Sequence, residues 1–309
     1  MAQAVIELTK KIISILMNNT IVVGCDIGGS HISTALINLV DKTLIESTFN
    51  RQTVNSHDAI SAIISSWASC IRSSLAKGDL QKAAIGIAIP GPFNYEEGIS
   101  LMKGQNKYEA LYGVNVKQLL AKELEIESAS IKFINDAASF LQGEMFAGAG
   151  TTFKKAVGLT LGTGLGSAFF LNGHAIDANL WSTPFRGGIA EDYLSGRWIK
   201  NTYCSRSGNT IDSVKAIGEL VSTDTVATDV FREFGETLGE FIFDHLLPKN
   251  PEGLILGGNI AKAHALFLAH TQQLLHDRSA ALPIAIADLG ERAAIFGAAD
   301  ALKQCPQFS

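Results

Sequence analysis

The feature that constrains the fold most is a pattern of strand, glycine turn and strand that occurs once in each half of the chain. Residues 21–39 read IVVGCDIGGSHISTALINL, in which two apolar runs flank the glycines at 28–29. Adjacent glycines accept the left-handed backbone of a tight hairpin turn. Residues 156–171 read AVGLTLGTGLGSAFFL and repeat the pattern around a turn at 162–164. The repeat predicts one hairpin in each of two related halves.

Strands and helices alternate along the rest of the chain. Apolar residues from Ile60 to Leu75 recur at helical spacing, and apolar runs at 83–89, 131–134 and 253–258 read as buried strands. The 309 residues are enough for two domains. Alternating elements around two hairpins predict an α/β fold of two domains with a cleft between them.

Charge and hydropathy argue against several classes of protein. The net charge is −5 and lysines and arginines form no dense stripe, which disfavours binding to nucleic acid. No apolar run is long enough to span a bilayer, so no membrane partner is expected. Over residues 1–20, Lys10 and Lys11 interrupt the apolar stretch and favour an amphipathic helix over a signal peptide. We therefore expect a cytoplasmic protein.

Three glycine elements are candidates for binding phosphate. They lie at residues 28–30, 162–164 and 257–258, the last where a strand meets a helix. Backbone N–H groups at such turns and at helix starts attract phosphate oxygens. The chain has no Gly-Lys-Ser/Thr triplet, and the glycines at 162–166 precede a strand, so neither a Walker loop nor a dinucleotide motif fits. A plain hairpin explains each turn alone; all three together favour a nucleotide held from two sides.

Six segments follow the order of the ROK sugar kinases, a family of the actin/hexokinase/Hsp70-like ATPase superfamily that the chain resembles. They are DIGGS, IPGP, INDAASFLQGE, LGTGLGSAFFLNG, EDYLSG and LILGGNI, and the resemblance extends from residue 21 to about 302. It implies two RNase-H-like (actin-like ATPase) domains with a nucleotide and sugar cleft between them. The first would span 1–134, with an added N-terminal helix and the C-terminal helix at about 291–303. The second would span 135–290. The family is often dimeric, which leaves a homodimer open.

The same resemblance assigns the acid and glycines of the turns to ATP. Asp26 matches an acid that holds Mg²⁺, usually through water. Turn geometry alone is the alternative explanation for the glycines. The residues matched to ATP or its phosphates are Gly28, Gly29, Ser30, Gly162, Thr163, Gly164, Gly257 and Gly258.

Asp136 is the candidate catalytic residue. It follows a strand and opens a helix, a common position for catalytic groups in α/β folds. Phosphoryl transfer to a hydroxyl needs a carboxylate that orients the nucleophile and takes its proton. A helix cap is the alternative role, and both hold if Asn135 caps the helix while Asp136 faces the cleft. In the resembling family this Asn-Asp pair touches the sugar and the Asp is the base.

Three further residues match sugar contacts of the family. Glu191 matches an acid that accepts hydrogen bonds from sugar hydroxyls, although a carboxylate is also favourable in the first turn of a helix. Gly91 matches a position where backbone meets the sugar, and Asn106 lies in the loop that would cover it.

One segment departs from the family pattern. Before Glu191 the chain has neither the Glu-x-Gly-His segment nor the cysteine-rich zinc loop, and its four cysteines are scattered, so we expect zinc to be absent. Trp181, Arg186 and Asp177 are possible substitutes, but a core aromatic, a solvated charge and a loop residue are the favoured interpretations. His31 follows the turn hydroxyl, and a surface or strand-face imidazole is favoured there over a phosphate contact.

The sequence therefore predicts ATP-dependent phosphorylation of a sugar hydroxyl, with Mg²⁺ and with Asp136 as general base. The resemblance implies a hexose or N-acetylhexosamine substrate, as in glucokinase-like members, and leaves polyphosphate open as a donor. The alternative is a non-catalytic, sugar-binding sensor, favoured by the missing segment. A DNA-binding repressor is disfavoured because residues 1–20 are too short for a helix-turn-helix domain.

Overall fold

The computed structural model describes residues 20–304. The helix predicted over residues 1–20 therefore lies outside the described residues, apart from Thr20. By backbone contacts the chain divides into two compact units. One contains the residues up to Ala147 and those from Glu291 onward, and the other is Gly148–Gly290.

The first unit is built on a mixed sheet in the order β3-β2-β1-β5-β8, with β4 also paired to β2. β1 pairs antiparallel with β2, and β1, β5 and β8 run parallel. A short antiparallel pair, β6 and β7, lies apart from this sheet. The strands are β1 (Ile21–Ile27), β2 (His31–Asn38), β3 (Thr43–Leu44), β4 (Asn50–Thr53), β5 (Ile85–Ile89), β6 (Phe93–Asn94), β7 (Ile99–Ser100) and β8 (Ile131–Asn135).

Helices of the first unit cover the sheet where the apolar periodicity placed them. The predicted helix from Ile60 is confirmed as α1 (Ile60–Lys77), whose buried face includes Trp67 at the centre of the apolar core. Two further α-helices follow within residues 20–147, α2 (Val116–Leu124) and α3 (Asp136–Ala147).

The second unit repeats the same plan. Its sheet has the order β11-β10-β9-β14-β15, in which β9 and β10 form the antiparallel hairpin and β14 and β15 run parallel to β9. The strands are β9 (Ala156–Leu161), β10 (Leu165–Leu171), β11 (His174–Asp177), β12 (Pro184–Phe185), β13 (Gly188–Ile189), β14 (Gly253–Gly257) and β15 (Ile284–Ile286). The helices are α4 (Ala190–Tyr193), α5 (Gly196–Ser207), α6 (Val214–Leu220), α7 (Thr225–Phe241), with a π-helical extension Ile242–Leu246, and α8 (Leu268–Asp277).

The last helix, α9 (Ala293–Ala301), returns to the first unit and packs on α3. A Cβ on Gly143 would lie 1.9 Å from the carbonyl oxygen of Ala293, so the two backbones touch. Ser139 adds a 2.7 Å hydrogen bond from its hydroxyl to the carbonyl of Ala294. Because of this packing, α3 groups with the first unit, whereas the sequence placed the boundary before it, at residue 134.

No helix among residues 20–304 is both long and apolar enough to cross a membrane.

Candidate active site

Strand register brings the candidate residues of the first unit to one edge of its sheet. Asp26 on β1 lies opposite Ala88 on β5, and Ile89 at the end of β5 lies opposite Asn135 on β8. Gly91 follows β5 and Asp136 follows β8. Since parallel strands end at the same edge, residues distant in sequence become neighbours there.

Asp26 carries a strongly perturbed carboxyl at this edge. Its pKa is raised from 3.8 to about 7, chiefly by burial and next by the nearby charge of Asp136. Arg51 acts in the opposite direction, while Glu291 adds to the rise. The Arg51 guanidinium is itself bonded to Glu291 at 2.7 Å. The carboxylates of Asp26 and Asp136 therefore repel each other at this edge, and a bound cation would relieve that repulsion.

Asn135 and Asp136 both accept hydrogen bonds from backbone N–H groups at the start of α3. The Asn135 Oδ1 accepts a 3.0 Å hydrogen bond from the Ala138 N–H, which confirms that Asn135 caps α3. Asp136 Oδ1 accepts from the Ala137 N–H at 2.9 Å. The Asp136 side chain is exposed, whereas Asn135 is half-buried.

Tyr95 joins two of the predicted sugar contacts and was missed at the sequence level. Its hydroxyl accepts a 3.2 Å hydrogen bond from Asn135 Nδ2 and donates to the carbonyl of Ile89 at 3.3 Å. A Cβ on Gly91 would lie 3.1 Å from this hydroxyl. No motif or spacing marks Tyr95, so only the fold reveals its position beside Gly91 and Asn135.

The first glycine turn has a different backbone from the one expected. A 2.9 Å hydrogen bond from the Gly28 N–H to the carbonyl of His31 closes it. Neither Gly28 nor Gly29 has a left-handed backbone, so that part of the prediction is wrong. A Cβ on Gly29 would meet nothing closer than the Lys107 Cδ at 3.8 Å, an ordinary contact. The fold itself does not require glycine at position 29.

The hydroxyls and rings beside this turn hold its shape. The Ser30 hydroxyl and His31 Nδ1 are hydrogen-bonded at 2.8 Å, and His31 lies half-buried at the start of β2. The Tyr108 hydroxyl donates a 2.6 Å hydrogen bond to the carbonyl of Gly28. Burial raises the pKa of Tyr108 to about 12, so this phenol remains a donor at neutral pH.

The loop that carries Asn106 is organised by Glu109. The Glu109 Oε1 accepts hydrogen bonds from the N–H groups of Gln105 at 2.8 Å and Asn106 at 3.2 Å. Backbone N–H donors, led by that of Gly104, hold the pKa of Glu109 below its usual value. Asn106 is exposed, and its backbone is left-handed at φ 55°.

In the second unit the two predicted glycine elements adjoin. The turn closes with a 3.0 Å hydrogen bond from the Gly162 N–H to the carbonyl of Gly164, and Thr163 at its tip is exposed. Gly258 has φ 85°, and a Cβ there would lie 2.3 Å from the carbonyl oxygen of Leu161. Gly257 ends β14 opposite Thr160. The strand-to-helix glycines therefore lie against the base of the second hairpin.

Glu191 binds the second hairpin from the first turn of α4. Its Oε2 accepts a 3.0 Å hydrogen bond from the Leu165 N–H, and its Oε1 accepts from Arg197 at 2.8 Å. A Cβ on Gly164 would lie 2.4 Å from Oε2. The carboxylate thus takes the space beside Gly164.

In the segment that departs from the family pattern, the structure differs from two of the interpretations favoured on sequence. Trp181 is 45% exposed, so the interpretation as a core aromatic is wrong; its Nε1 donates to Asn179. Arg186 is not simply solvated, because it bonds to Glu240 at 2.9 and 2.6 Å. Asp177 ends β11 and is exposed. Within residues 20–304, no cluster of three or more His, Cys, Asp or Glu side chains is arranged to hold a metal ion.

Two units of this topology define the actin-like ATPase fold expected from the sequence. The sequence model of the ROK family matches residues 22–179 and 183–305. The chain belongs to the ROK family.

Known members of the family match over almost the whole chain. The N-acetylgalactosamine kinase AgaK of Shewanella sp. strain ANA-3 is 24% identical over 306 residues, which cover 89% of this chain and 94% of that kinase. The N-acetyl-D-glucosamine kinase of Mannheimia succiniciproducens is also 24% identical, over 89% of this chain and 97% of its own. The Streptomyces griseus ROK family glucokinase, solved with glucose and AMPPNP, has a TM-score of 0.72 at 20% identity and covers 92% of this chain and 99% of its own.

Proposed function

We propose that this protein is an ATP-dependent sugar kinase with Asp136 as its general base. The observation that carries the proposal is the sheet edge of the first unit. Asp26, Asn135 and Asp136 lie along this edge, and the turn that follows Asp26 contains Gly29, a position where the fold does not require glycine. A glycine that the fold does not need is expected where a ligand comes close to the backbone, because a Cβ would stand in its way.

Asp136 acts on the sugar hydroxyl. Its exposed carboxylate at the start of α3 receives the hydroxyl proton while the sugar oxygen forms a bond to the γ-phosphorus of ATP. The bond from that phosphorus to the bridging oxygen breaks, and ADP leaves with the electron pair. Asn135, fixed by its bonds to the Ala138 N–H and Tyr95, keeps the start of the helix in place.

Asp26 fits a divalent cation. Its raised pKa expresses a carboxylate withdrawn from water beside a second carboxylate, and a cation offsets both penalties. Mg²⁺ prefers oxygen ligands and keeps several waters, so one or two carboxylates and the phosphates of ATP are a sufficient site. Asp26 would hold the ion through water. Mg²⁺ supplies charge that stabilises the phosphate oxygens.

The glycine turns bind the nucleotide. In the first unit we assign Gly28, Gly29 and Ser30 to phosphate. The Gly28 N–H closes the turn on His31, so the backbone at Gly29 and Ser30 would meet the phosphate oxygens, and the Ser30 hydroxyl would do so by exchanging its bond to His31. In the second unit we assign Gly162, Thr163 and Gly164 to phosphate. Gly257 and Gly258 are assigned to the adenosine side.

The sugar is a hexose or an N-acetylhexosamine. Curated relatives act on N-acetylgalactosamine and N-acetylglucosamine, and a structural neighbour binds glucose. Gly91, Asn106 and Asn135 are the proposed contacts in the first unit. A sugar contact by Glu191 requires that its carboxylate exchange a bond to Leu165 or Arg197, which it makes now.

The test is ADP release by the purified protein with MgATP across glucose, mannose, N-acetylglucosamine, N-acetylmannosamine and N-acetylgalactosamine. We expect sugar-dependent turnover with at least one of them, and a product heavier by one phosphoryl group. Binding of a sugar without turnover on MgATP or on polyphosphate would instead identify a sensor and overturn the proposal.

A further inference from the structure

The side chain of Lys107 lies over the first glycine turn. A Cβ on Gly29 would be 3.8 Å from the Lys107 Cδ, so the aliphatic stem of the lysine runs beside the exposed tip of the turn. The sequence analysis gave Lys107 no role, because 78 positions of chain separate it from Gly29 and no motif joins them.

The neighbouring residue anchors Lys107 in this place. The Tyr108 hydroxyl bonds to the carbonyl of Gly28, and the Tyr108 N–H donates to the carbonyl of Ser56 at 2.9 Å. The Tyr108 ring is fully buried and meets the Trp67 ring edge-to-face at 5.3 Å. A lysine adjacent to such an anchor is held near the turn even though its own side chain is only half-buried.

Lys107 also brings a positive charge without a carboxylate partner in residues 20–304, since none of the ion pairs found there includes it. The other basic groups near the turn are engaged: Arg51 pairs with Glu291, and His31 bonds to Ser30. An ammonium group beside a tight backbone turn suits an anion with several oxygens.

We propose that Lys107 is a phosphate-binding residue, whose ammonium group contacts the terminal phosphates of ATP at the first glycine turn. The inference rests on the proposed kinase function. Lys107 takes no part in proton transfer; its positive charge stabilises negative charge on the phosphoryl oxygens. Tyr108 is its positioning residue.

Lys107→Gln removes the charge, and Lys103→Gln is the matched control. Lys103 lies in the same loop and is exposed, but its Nζ is 5.2 Å from the Tyr112 ring centroid rather than beside the turn. Lys107→Arg retains the charge. Each variant is measured for its Kd for Mg-AMPPNP by calorimetry, for its KM for sugar, and for kcat/KM for ATP, after thermal unfolding has verified that it folds.

We expect Lys107→Gln to weaken Mg-AMPPNP binding roughly tenfold and to lower kcat/KM for ATP by about 10- to 100-fold, with the KM for sugar within about twofold. Lys107→Arg recovers most of the loss, and Lys103→Gln matches wild type. Equal nucleotide affinity in Lys107→Gln and Lys103→Gln would overturn the inference.

A second readout uses the wild-type protein, without substitutions. The Lys107 and Lys103 amines are acetylated with a water-soluble reagent, with and without Mg-AMPPNP, and quantified by mass spectrometry. We expect the nucleotide to protect Lys107 and not Lys103; equal protection contradicts the inference. Wild-type protein that binds Mg-AMPPNP and protects Lys107, yet turns over no sugar, would refute the kinase function and leave the Lys107 assignment standing.

Discussion

The two hairpins have the same strand order and pairing around them but carry different chemistry. In β1–β2 an acid, Asp26, stands two positions before the first turn glycine, and in β9–β10 that position is Thr160. The second hairpin obtains its carboxylate from outside, through the bond of Glu191 to the Leu165 N–H. The repeated scaffold thus supports a charged sheet edge in one unit and a turn braced by a helix in the other.

The glycines of the two turns differ in the same way. A Cβ on Gly29 would make only an ordinary contact with Lys107, whereas the space beside Gly164 is filled by Glu191. Gly258 is further constrained, by a left-handed backbone against the carbonyl of Leu161. The fold thus leaves space beside Gly29, whereas at Gly164 and Gly258 the missing side chain makes room for other parts of the protein.

Between the two hairpins, the largest expected effect on activity is that of replacing Asp26, the acid that the first hairpin has and the second lacks. Asp26→Asn removes the carboxylate proposed to hold Mg²⁺, and we expect kcat/KM for ATP to fall by about 10²–10³-fold. Thr160→Val, at the corresponding place in the second hairpin, is the control and should stay within about threefold. Steady-state kinetics at saturating sugar measure both. Equal losses would mean that the two hairpins are functionally equivalent.

Substitution by alanine should destabilise the protein much more at Gly258 than at Gly29. Gly258→Ala forces an alanine into a left-handed backbone against a carbonyl, and we expect a loss of about 2–4 kcal/mol in the free energy of unfolding. Gly29→Ala should cost less than about 1 kcal/mol, because its Cβ makes only ordinary contacts. Urea unfolding followed by circular dichroism compares them. A loss in Gly29→Ala as large as in Gly258→Ala contradicts the comparison.

Asp26 should also make stability depend on pH. Its pKa is about 7 in the folded protein against 3.8 for an ordinary Asp, so the native state holds this proton more tightly than the unfolded chain. The resulting destabilisation is absent below pH 4, grows between pH 4 and 7, and is complete above pH 7. Without Mg²⁺, Asp26→Asn should thus be more stable than wild type at pH 8, by on the order of 1–3 kcal/mol after allowance for solvent screening.

The measurement is urea unfolding of wild type and Asp26→Asn at pH 4, 6 and 8, with chelator and then with Mg²⁺. The difference between the two proteins should widen with pH, and Mg²⁺ should reduce it at pH 8. A difference that is constant over this range would show that the carboxyl is not perturbed.

The smallest effect concerns the brace of the second hairpin. Gly164→Ala should displace the Glu191 carboxylate and cost about 1 kcal/mol, the net contribution of an ordinary hydrogen bond, because this carboxylate is partly exposed to water. If displacement is the cause, Gly164→Ala should cost nearly nothing more in a Glu191→Ala background. A double-mutant cycle of unfolding free energies measures this coupling. Additive losses would separate Gly164 from Glu191.

Local patterns carried most of what the sequence could predict. Both hairpins, α1 and the buried strands follow from local pattern, and so does the place of Asp26 and Asn135 near the ends of β1 and β8. The family is also confirmed from ordered motifs. The left-handed backbone expected at residues 28–29 is wrong because glycine has two uses, backbone freedom and empty space, and a sequence does not distinguish them.

Long-range contacts explain what sequence reasoning missed. Tyr95, Lys107 and Tyr108 reach the site across many positions of chain, with ordinary spacing and no motif. The bond between Glu191 and Leu165 depends likewise on how α4 meets β10, which no local pattern encodes. The exposed Trp181 shows the reverse case, since hydrophobicity alone favoured burial.

The most direct test of the account is Asp136→Asn, compared with Asp79→Asn, an exposed acid in a turn outside the site. We predict that Asp136→Asn lowers kcat by about 10²–10⁴-fold while its Kd values for sugar and for Mg-AMPPNP stay within a few-fold of wild type. Asp79→Asn should keep full activity. An Asp136→Asn protein that turns over its sugar at the wild-type rate would contradict the role of this residue as the general base.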